Sequence, residues 1–317
     1  MLKDEVILVT GATGLIGKAL VKELINEKAT VIAVVRNEGK ARGLFGDKVK
    51  YIIGDVRKAD LTGVSVDYII HAASQTSSKQ FVKDPVETIS VAIDGTRHLL
   101  DFAKTQDHLK RFIYLSTMEV YGTPSTDEKI DESYGTDLDT MSVRTCYPES
   151  KRMCENLCAS YGAEFGVPVN VMRLTQTFGP GVEKNDGRVF AEFARCAVER
   201  KDIVLKTKGE TRRSYLYTKD AVSAIITVLE KAIIGEAYNV ANEATYCSIY
   251  EMAEMVADKI ADGKIKVRIE EDQNNERGFA PELHMNLDTS KIQKLGWKAK
   301  IPLQSMFEAM INDWNNK

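Results

Sequence analysis

The sequence predicts an α/β protein, a doubly wound parallel sheet followed by a smaller C-terminal lobe. Three observations predict it. Short, unbroken β-branched runs alternate with amphipathic stretches through the first half, a glycine triplet joins the first run to the first amphipathic stretch, and the alternation loosens after the turn-rich stretch 179–187. A chain of 317 residues that is 44% hydrophobic can bury a large core in one large or two intimate domains, and cannot be disordered as a whole.

The segments Val6–Thr10, Thr30–Val35, Tyr51–Ile53, Tyr68–His71, Phe112–Leu115 and Val169–Met172 are largely unbroken apolar runs. Such runs suit strands buried on both faces, as in a parallel sheet. Between them, Leu15–Asn26, Pro85–Lys104 and Pro148–Phe165 are amphipathic, and strand–helix alternation of this kind builds right-handed crossovers. Tyr215–Tyr217 and Tyr238–Val240 read as strands returning to the main sheet. From Ser248 onward a helix (Ser248–Ile260) mixes with charged loops such as Glu270–Gly278. The expected division is 1–178 with 212–243 for the sheet domain, and 179–211 with 244–317 for the lobe.

Several function classes drop out. A net charge of −3 leaves no electrostatic footprint for nucleic acid. Runs such as Val31–Val35 fall far short of the ~20 apolar residues of a membrane span. The N-terminus enters a strand almost at once, without a basic-then-apolar leader, so a cytoplasmic location is expected. Cys146, Cys154, Cys158, Cys196 and Cys247 are odd in number and lack zinc-site spacing; they read as reduced thiols, and no metal is expected.

The chemistry begins at Thr10-Gly11-Ala12-Thr13-Gly14-Leu15-Ile16-Gly17. A pyrophosphate needs free backbone N–H groups at a helix N-terminus, no side chain where the backbone approaches it, and a tight turn into the helix. Gly11, Gly14 and Gly17 answer these needs in the required strand-to-helix context. At the end of the second strand an acid would bind the 2′-hydroxyl of NAD, whereas an arginine accommodates the 2′-phosphate of NADP. The chain has Arg36 there and no carboxylate until Glu38, which favours NADP, although a solvated loop charge would look the same. Asp55, after the third strand, suits the adenine amino group or is a plain turn aspartate.

Tyr147 and Lys151 stand four apart, on one helix face if Pro148 opens a helix. A nearby ammonium stabilises phenolate, so the tyrosine pKa is expected to fall from its free value of about 10 toward neutrality. The phenolate then takes a hydroxyl proton while the attached carbon yields hydride to a nicotinamide. Leu115-Ser116-Thr117-Met118-Glu119 leaves the C-terminal end of a strand, where a doubly wound sheet presents its chemistry. Thr117 offers a hydroxyl to the reacting oxygen; Glu119 offers a carboxylate to the same cleft or is a solvent-facing loop acid.

Taken together, the turn Thr10–Gly17, the segment Ser116–Gly122, the pair Tyr147–Lys151, the segments Arg173–Pro180 and Arg213–Asp220, and the late Leu287–Lys291 followed by Leu295-Gly296-Trp297 resemble the extended short-chain dehydrogenase/reductases. That resemblance covers nearly the whole chain and implies a Rossmann-like domain with a nucleotide-sugar-binding lobe. It implies cofactor contacts at Gly11, Thr13, Gly14, Leu15, Ile16, Gly17, Arg36, Asp55, Val56, Ala72, Ala73, Ser116, Tyr147 and Lys151. Substrate contacts are implied at Thr117, Gln176, Arg188, Arg213 and Arg277, where arginine forks suit a diphosphate. A homodimer through the helices near Pro85–Lys104 and Pro148–Phe165 is also implied; Leu99, Leu100, Leu157 and Tyr161 either serve that face or pack on the sheet.

Within the family, Ser116-Thr117-Met118-Glu119-Val120-Tyr121-Gly122 is similar to dehydratases and UDP-glucuronate decarboxylases, and Arg144–Arg152 with Asn185–Val189 look most like the decarboxylases. The implied activity is oxidation of a nucleotide sugar at C4 by tightly bound NAD or NADP, then decarboxylation or dehydration with Glu119 participating. A 4-epimerase is the alternative; a 4-keto reductase or a non-catalytic cofactor-binding scaffold ranks below it. Three departures bear on substrate: Met118 where dehydratases place aspartate, and Gln176 and Ala92 where the family usually has asparagine.

Overall fold

The computed structural model describes residues 2–271 and 282–316. In chain order the strands are β1 (Val6–Thr10), β2 (Thr30–Val35), β3 (Lys50–Ile53), β4 (Tyr68–His71), β5 (Arg111–Thr117), β6 (Val169–Leu174), β7 (Gln176–Phe178), β8 (Ile203–Leu205), β9 (Arg212–Tyr217), β10 (Ala237–Val240), β11 (Asn242–Ser248), β12 (Val267–Ile269) and β13 (His284–Met285). The helices are α1 (Leu15–Asn26), α2 (Glu38–Phe45), α3 (Ser78–Lys83), α4 (Pro85–Ala103), α5 (Cys146–Phe165), α6 (Val189–Glu199), α7 (Thr218–Lys231), α8 (Ile249–Met255), α9 (Ser290–Gln293) and α10 (Leu303–Asn315).

Seven strands form one sheet in the order β10-β6-β5-β4-β1-β2-β3, every neighbouring pair parallel. The order reverses direction at β1, and the crevice above the strand C-termini at such a switch point is where these sheets bind ligands. Apolar cores lie on both faces, as the unbroken hydrophobic runs require. Leu20, Leu24, Ile225 and Val228 from α1 and α7 pack on one face; Leu99, Leu100, Cys154 and Cys158 from α4 and α5 pack on the other. The helix boundaries have local causes. Pro85 sits in the first turn of α4, and Gly166, at φ 71°, ends α5 in the left-handed conformation. Ser248 and Glu251 cap α8 reciprocally.

One expectation needs correcting. Tyr215–Tyr217 does not return to the main sheet as Tyr238–Val240 does: β9 joins a separate sheet with β7, β11 and β13. That sheet roofs the lobe core of Phe178, Phe190, Tyr215, Met252 and Phe307. Of the two readings left open for Leu99, Leu100, Leu157 and Tyr161, packing on the sheet is the one seen: Leu99, Leu100 and Tyr161 are buried in the core beneath α4 and α5, and Leu157 packs partly buried against it. What these two helices expose is Val86, Ile89, Met153 and Phe165. Among the described residues no helix is long and apolar enough to cross a membrane.

Candidate active site

A cleft of about 580 Å³ runs along the C-terminal edge of the main sheet, between it and the lobe. Its floor is the turn from β1 into α1. Gly11 has φ 67°, and a Cβ there would stand 2.6 Å from the Ala72 carbonyl carbon. Gly14 caps α1 without a side-chain hydrogen bond, so the first N–H groups of the helix are left for a ligand. These features fit a dinucleotide: an uncapped helix N-terminus faces the cleft, with no side chain over the approach. Beneath the turn, the Ala73 N–H donates to Thr10 Oγ1 (3.1 Å), and His71 bridges Thr10 (2.8 Å) and Thr96 (3.1 Å). Burial lowers the His71 pKa to about 3, so the ring stays neutral and serves as a hydrogen-bonding strut.

Every described residue of the expected cofactor set lines this cleft: the turn, Arg36 at the end of β2, Asp55 and Val56 after β3, Ala72 and Ala73 after β4, Ser116, Tyr147 and Lys151. Asp55 is held by Arg57, whose Nε and Nη2 donate to its two carboxylate oxygens at 2.8 and 3.0 Å, lowering its pKa to about 2. Arg57 had no sequence signal beyond an ordinary turn. Ser116 lines the cleft, but its hydroxyl donates to Glu155 at 2.5 Å, and Arg173 grips the same carboxylate.

At the reacting end β5 delivers Thr117, and the turn that follows delivers Glu119, whose N–H donates to Thr117 Oγ1 (3.3 Å). Tyr147 and Lys151 rise from the first turns of α5, both buried. Lys151 Nζ donates to the Leu115 carbonyl (2.7 Å) and sits 4.6 Å from the Tyr114 ring centre. Burial lowers its pKa to about 8. The expected fall in the Tyr147 pKa is absent: burial, then the nearby Glu119 carboxylate, raise it, against a hydrogen bond with Thr117 and the charge of Arg144. Desolvation dominates, and the Lys151 ammonium, which donates to the Leu115 carbonyl, stands 5.9 Å from the tyrosine ring centre. Phe81, from α3, covers the tyrosine, with stacked rings 4.4 Å apart. Neither Phe81 nor the pairing of Arg144 with Glu119 is legible in the sequence; both are contacts between segments distant along the chain.

Gln176 on β7, Arg213 on β9 and Arg188 at the start of α6 also line the cleft. Gln176 Oε1 and Arg213 Nε are buried with no hydrogen-bond partner among the described residues. Such orphaned atoms cost about 1–3 kcal/mol each, a cost that a polar ligand seated in the cleft would remove. Asp186 clamps Arg188 (2.7 Å from Nη2 to Oδ2). Arg277 lies outside the described residues. Met118 is buried, its sulfur 3.2 Å from the Thr175 hydroxyl, which donates to the Ser214 carbonyl.

The model of the NAD dependent epimerase/dehydratase family matches residues 7–241. UDP-glucuronic acid decarboxylase 6 of Arabidopsis thaliana is 31% identical over 317 residues, covering 97% of this chain and 88% of that protein. UDP-glucuronic acid decarboxylase 1 of Xenopus tropicalis is 28% identical over 303 residues, covering 94% and 69%. Among solved structures, UDP-glucose 4-epimerase from Thermotoga maritima superposes with TM-score 0.85 at 21% identity, covering 98% of this chain and 99% of that one. UDP-glucuronic acid 4-epimerase from Bacillus cereus, in complex with UDP-glucuronic acid and NAD, gives 0.83 at 24%, with the same coverage. A family match over most of the chain, joined to a glycine turn and cleft built for a dinucleotide, makes this protein an enzyme of the NAD dependent epimerase/dehydratase family.

Proposed function

We propose that the chain decarboxylates a UDP-uronate through a 4-keto intermediate, with the nucleotide sugar seated against the lobe of 179–211 and 244–317. A nicotinamide dinucleotide held by the glycine turn supplies a reversible hydride acceptor, so C4 is oxidised and later re-reduced and the net change is loss of CO2. Thr117 and Tyr147 share the hydrogen bond that positions the C4 hydroxyl, and Tyr147 would take its proton as the phenolate, a form that burial opposes and that the positive charge of a bound oxidised nicotinamide would favour. The ketone makes the C5 carboxylate a good leaving group, because the electron pair left behind delocalises into the carbonyl. Glu119, partly open to solvent, relays the proton that replaces CO2 at C5.

One observation carries this choice over dehydration. The position beside Glu119 holds Met118, whose thioether cannot protonate a departing hydroxyl, whereas decarboxylation needs no acid there. The relatives named decarboxylases support it. Glu119→Gln is expected to stop the reaction after oxidation, so that the bound cofactor stays reduced and a ketone accumulates. Absorbance near the reduced nicotinamide band checks this, and normal turnover would make the glutamate structural and favour 4-epimerisation.

Of the two dinucleotides, we propose NADP. Arg36, after β2, and Lys40, in the first turn of α2, line the cleft, while Glu38 is turned to Arg42 (2.8 Å). Arg36→Ala is expected to weaken NADP binding by about tenfold and leave NAD nearly unchanged, as titration of cofactor-stripped protein would show. Equal loss for both cofactors would remove Arg36 from this role.

A further inference from the structure

Arg144 lies in the turn just before α5, beside Glu119 and Phe81, which line the cleft. Its Nη2 donates to Glu119 Oε2 at 2.9 Å, and its guanidinium carbon sits 5.0 Å from the centre of the Phe81 ring that stacks on Tyr147. The Arg144 and Glu119 side chains are 36% and 32% exposed, so a ligand can reach both. Only one N–H of the guanidinium meets Glu119, and among the described residues the rest of its donors make no hydrogen bond. Of the other cations that line or adjoin the cleft, Lys151 is committed to the Leu115 carbonyl, Arg152 to the Val120 carbonyl, Arg173 to Glu155 and Arg188 to Asp186, whereas Arg213 keeps an unpaired Nε among the described residues.

On the decarboxylase reading above, a uronate brings its C5 carboxylate to the group that acts at C5, which is itself a carboxylate. Two carboxylates a few ångströms apart repel, unless one cation serves both. We infer that Arg144 is the specificity-determining residue for the acidic sugar: its free edge receives the substrate carboxylate while Nη2 keeps Glu119 in place. A guanidinium suits this because its planar fork can pair with one carboxylate on each edge, which a lysine cannot do. A neutral sugar finds no such partner and leaves the ion pair as it is. When CO2 departs, the contact is lost, which favours product release over the bound acid.

The test compares wild type with Arg144→Met and Arg144→Lys, using UDP-glucuronate as the acidic ligand and UDP-glucose as the neutral one. Arg144→Met is expected to raise the KM for UDP-glucuronate at least about tenfold while UDP-glucose binds within about twofold of wild type. Arg144→Lys should recover part of the loss. Unchanged KM, or equal loss for both ligands, overturns the inference. Calorimetric titration with the same two ligands in a Tyr147→Phe background, which keeps the cofactor and is expected not to turn over, reads the same ratio. Absence of CO2 release by wild type would count against the decarboxylase reading alone, and if Arg144→Met does not fold, Arg144→Lys decides by the same ratio.

Discussion

Tyr147→Phe is expected to lower turnover by about 10³-fold while leaving the cofactor bound, because it removes one oxygen from a packed site and nothing from the glycine turn. The phenol is the one group in the cleft that combines a hydrogen bond with Thr117, a neighbouring ammonium and a place at the end of β5. Phe81 packs on the ring face, so phenylalanine fills the same volume and the fold should be indifferent to the change. Comparing turnover with the nucleotide retained after gel filtration separates the two effects. Residual turnover within about tenfold of wild type would take Tyr147 out of the chemistry.

Gly17→Ala should do the opposite, sparing the chemical groups and destroying the cofactor seat. The added Cβ would fall 2.1 Å from the Gly11 carbonyl oxygen and 2.9 Å from the Ala12 Cα, all rigid backbone. The turn must open to admit it, which moves α1 off β1 and breaks the spacing of the N–H groups that receive the pyrophosphate. Overpacking of this kind costs about 1–3 kcal/mol. The expected readout is loss of bound nucleotide together with a lower Tm. Gly43→Ala is the control: it sits inside α2 with nothing within 4 Å of the added Cβ, so it should be neutral or slightly stabilising. Equal behaviour of the two variants would mean that the close approach of Gly17 to Gly11 does not matter.

The legible parts of the molecule are those that local pattern decides. Val6–Thr10 and Leu15–Asn26 read directly as strand and helix because an unbroken β-branched run, three glycines and an amphipathic repeat follow one another without interruption. The cleft residues follow, since a doubly wound sheet brings its strand ends together. What pattern misses is decided by partners distant in sequence. Tyr215–Tyr217 has the apolar character of a buried parallel strand, yet the strand that contains it pairs with β7 and β11, and nothing within it names those partners. Leu99 and Leu100 sit on a helix with more apolar positions than one face needs, so only packing tells inside from outside. The Tyr147 pKa goes the other way because spacing gives the distance to a charge but not the burial that opposes it. Arg144 is visible as a letter three before Tyr147, but its ion pair with Glu119 depends on a fold contact between the turns that precede α5 and follow β5.

Loss of the acidic carbon from a UDP-uronate, without net use of the cofactor, is the central claim. Incubating the purified enzyme with UDP-glucuronate labelled with ¹³C at the carboxyl carbon, and following the label by NMR, reads this directly. The label should appear as bicarbonate in step with loss of the sugar, while the nicotinamide returns to its starting redox state. Label retained in a uronate inverted at C4 would contradict the claim and assign the same cleft to epimerisation.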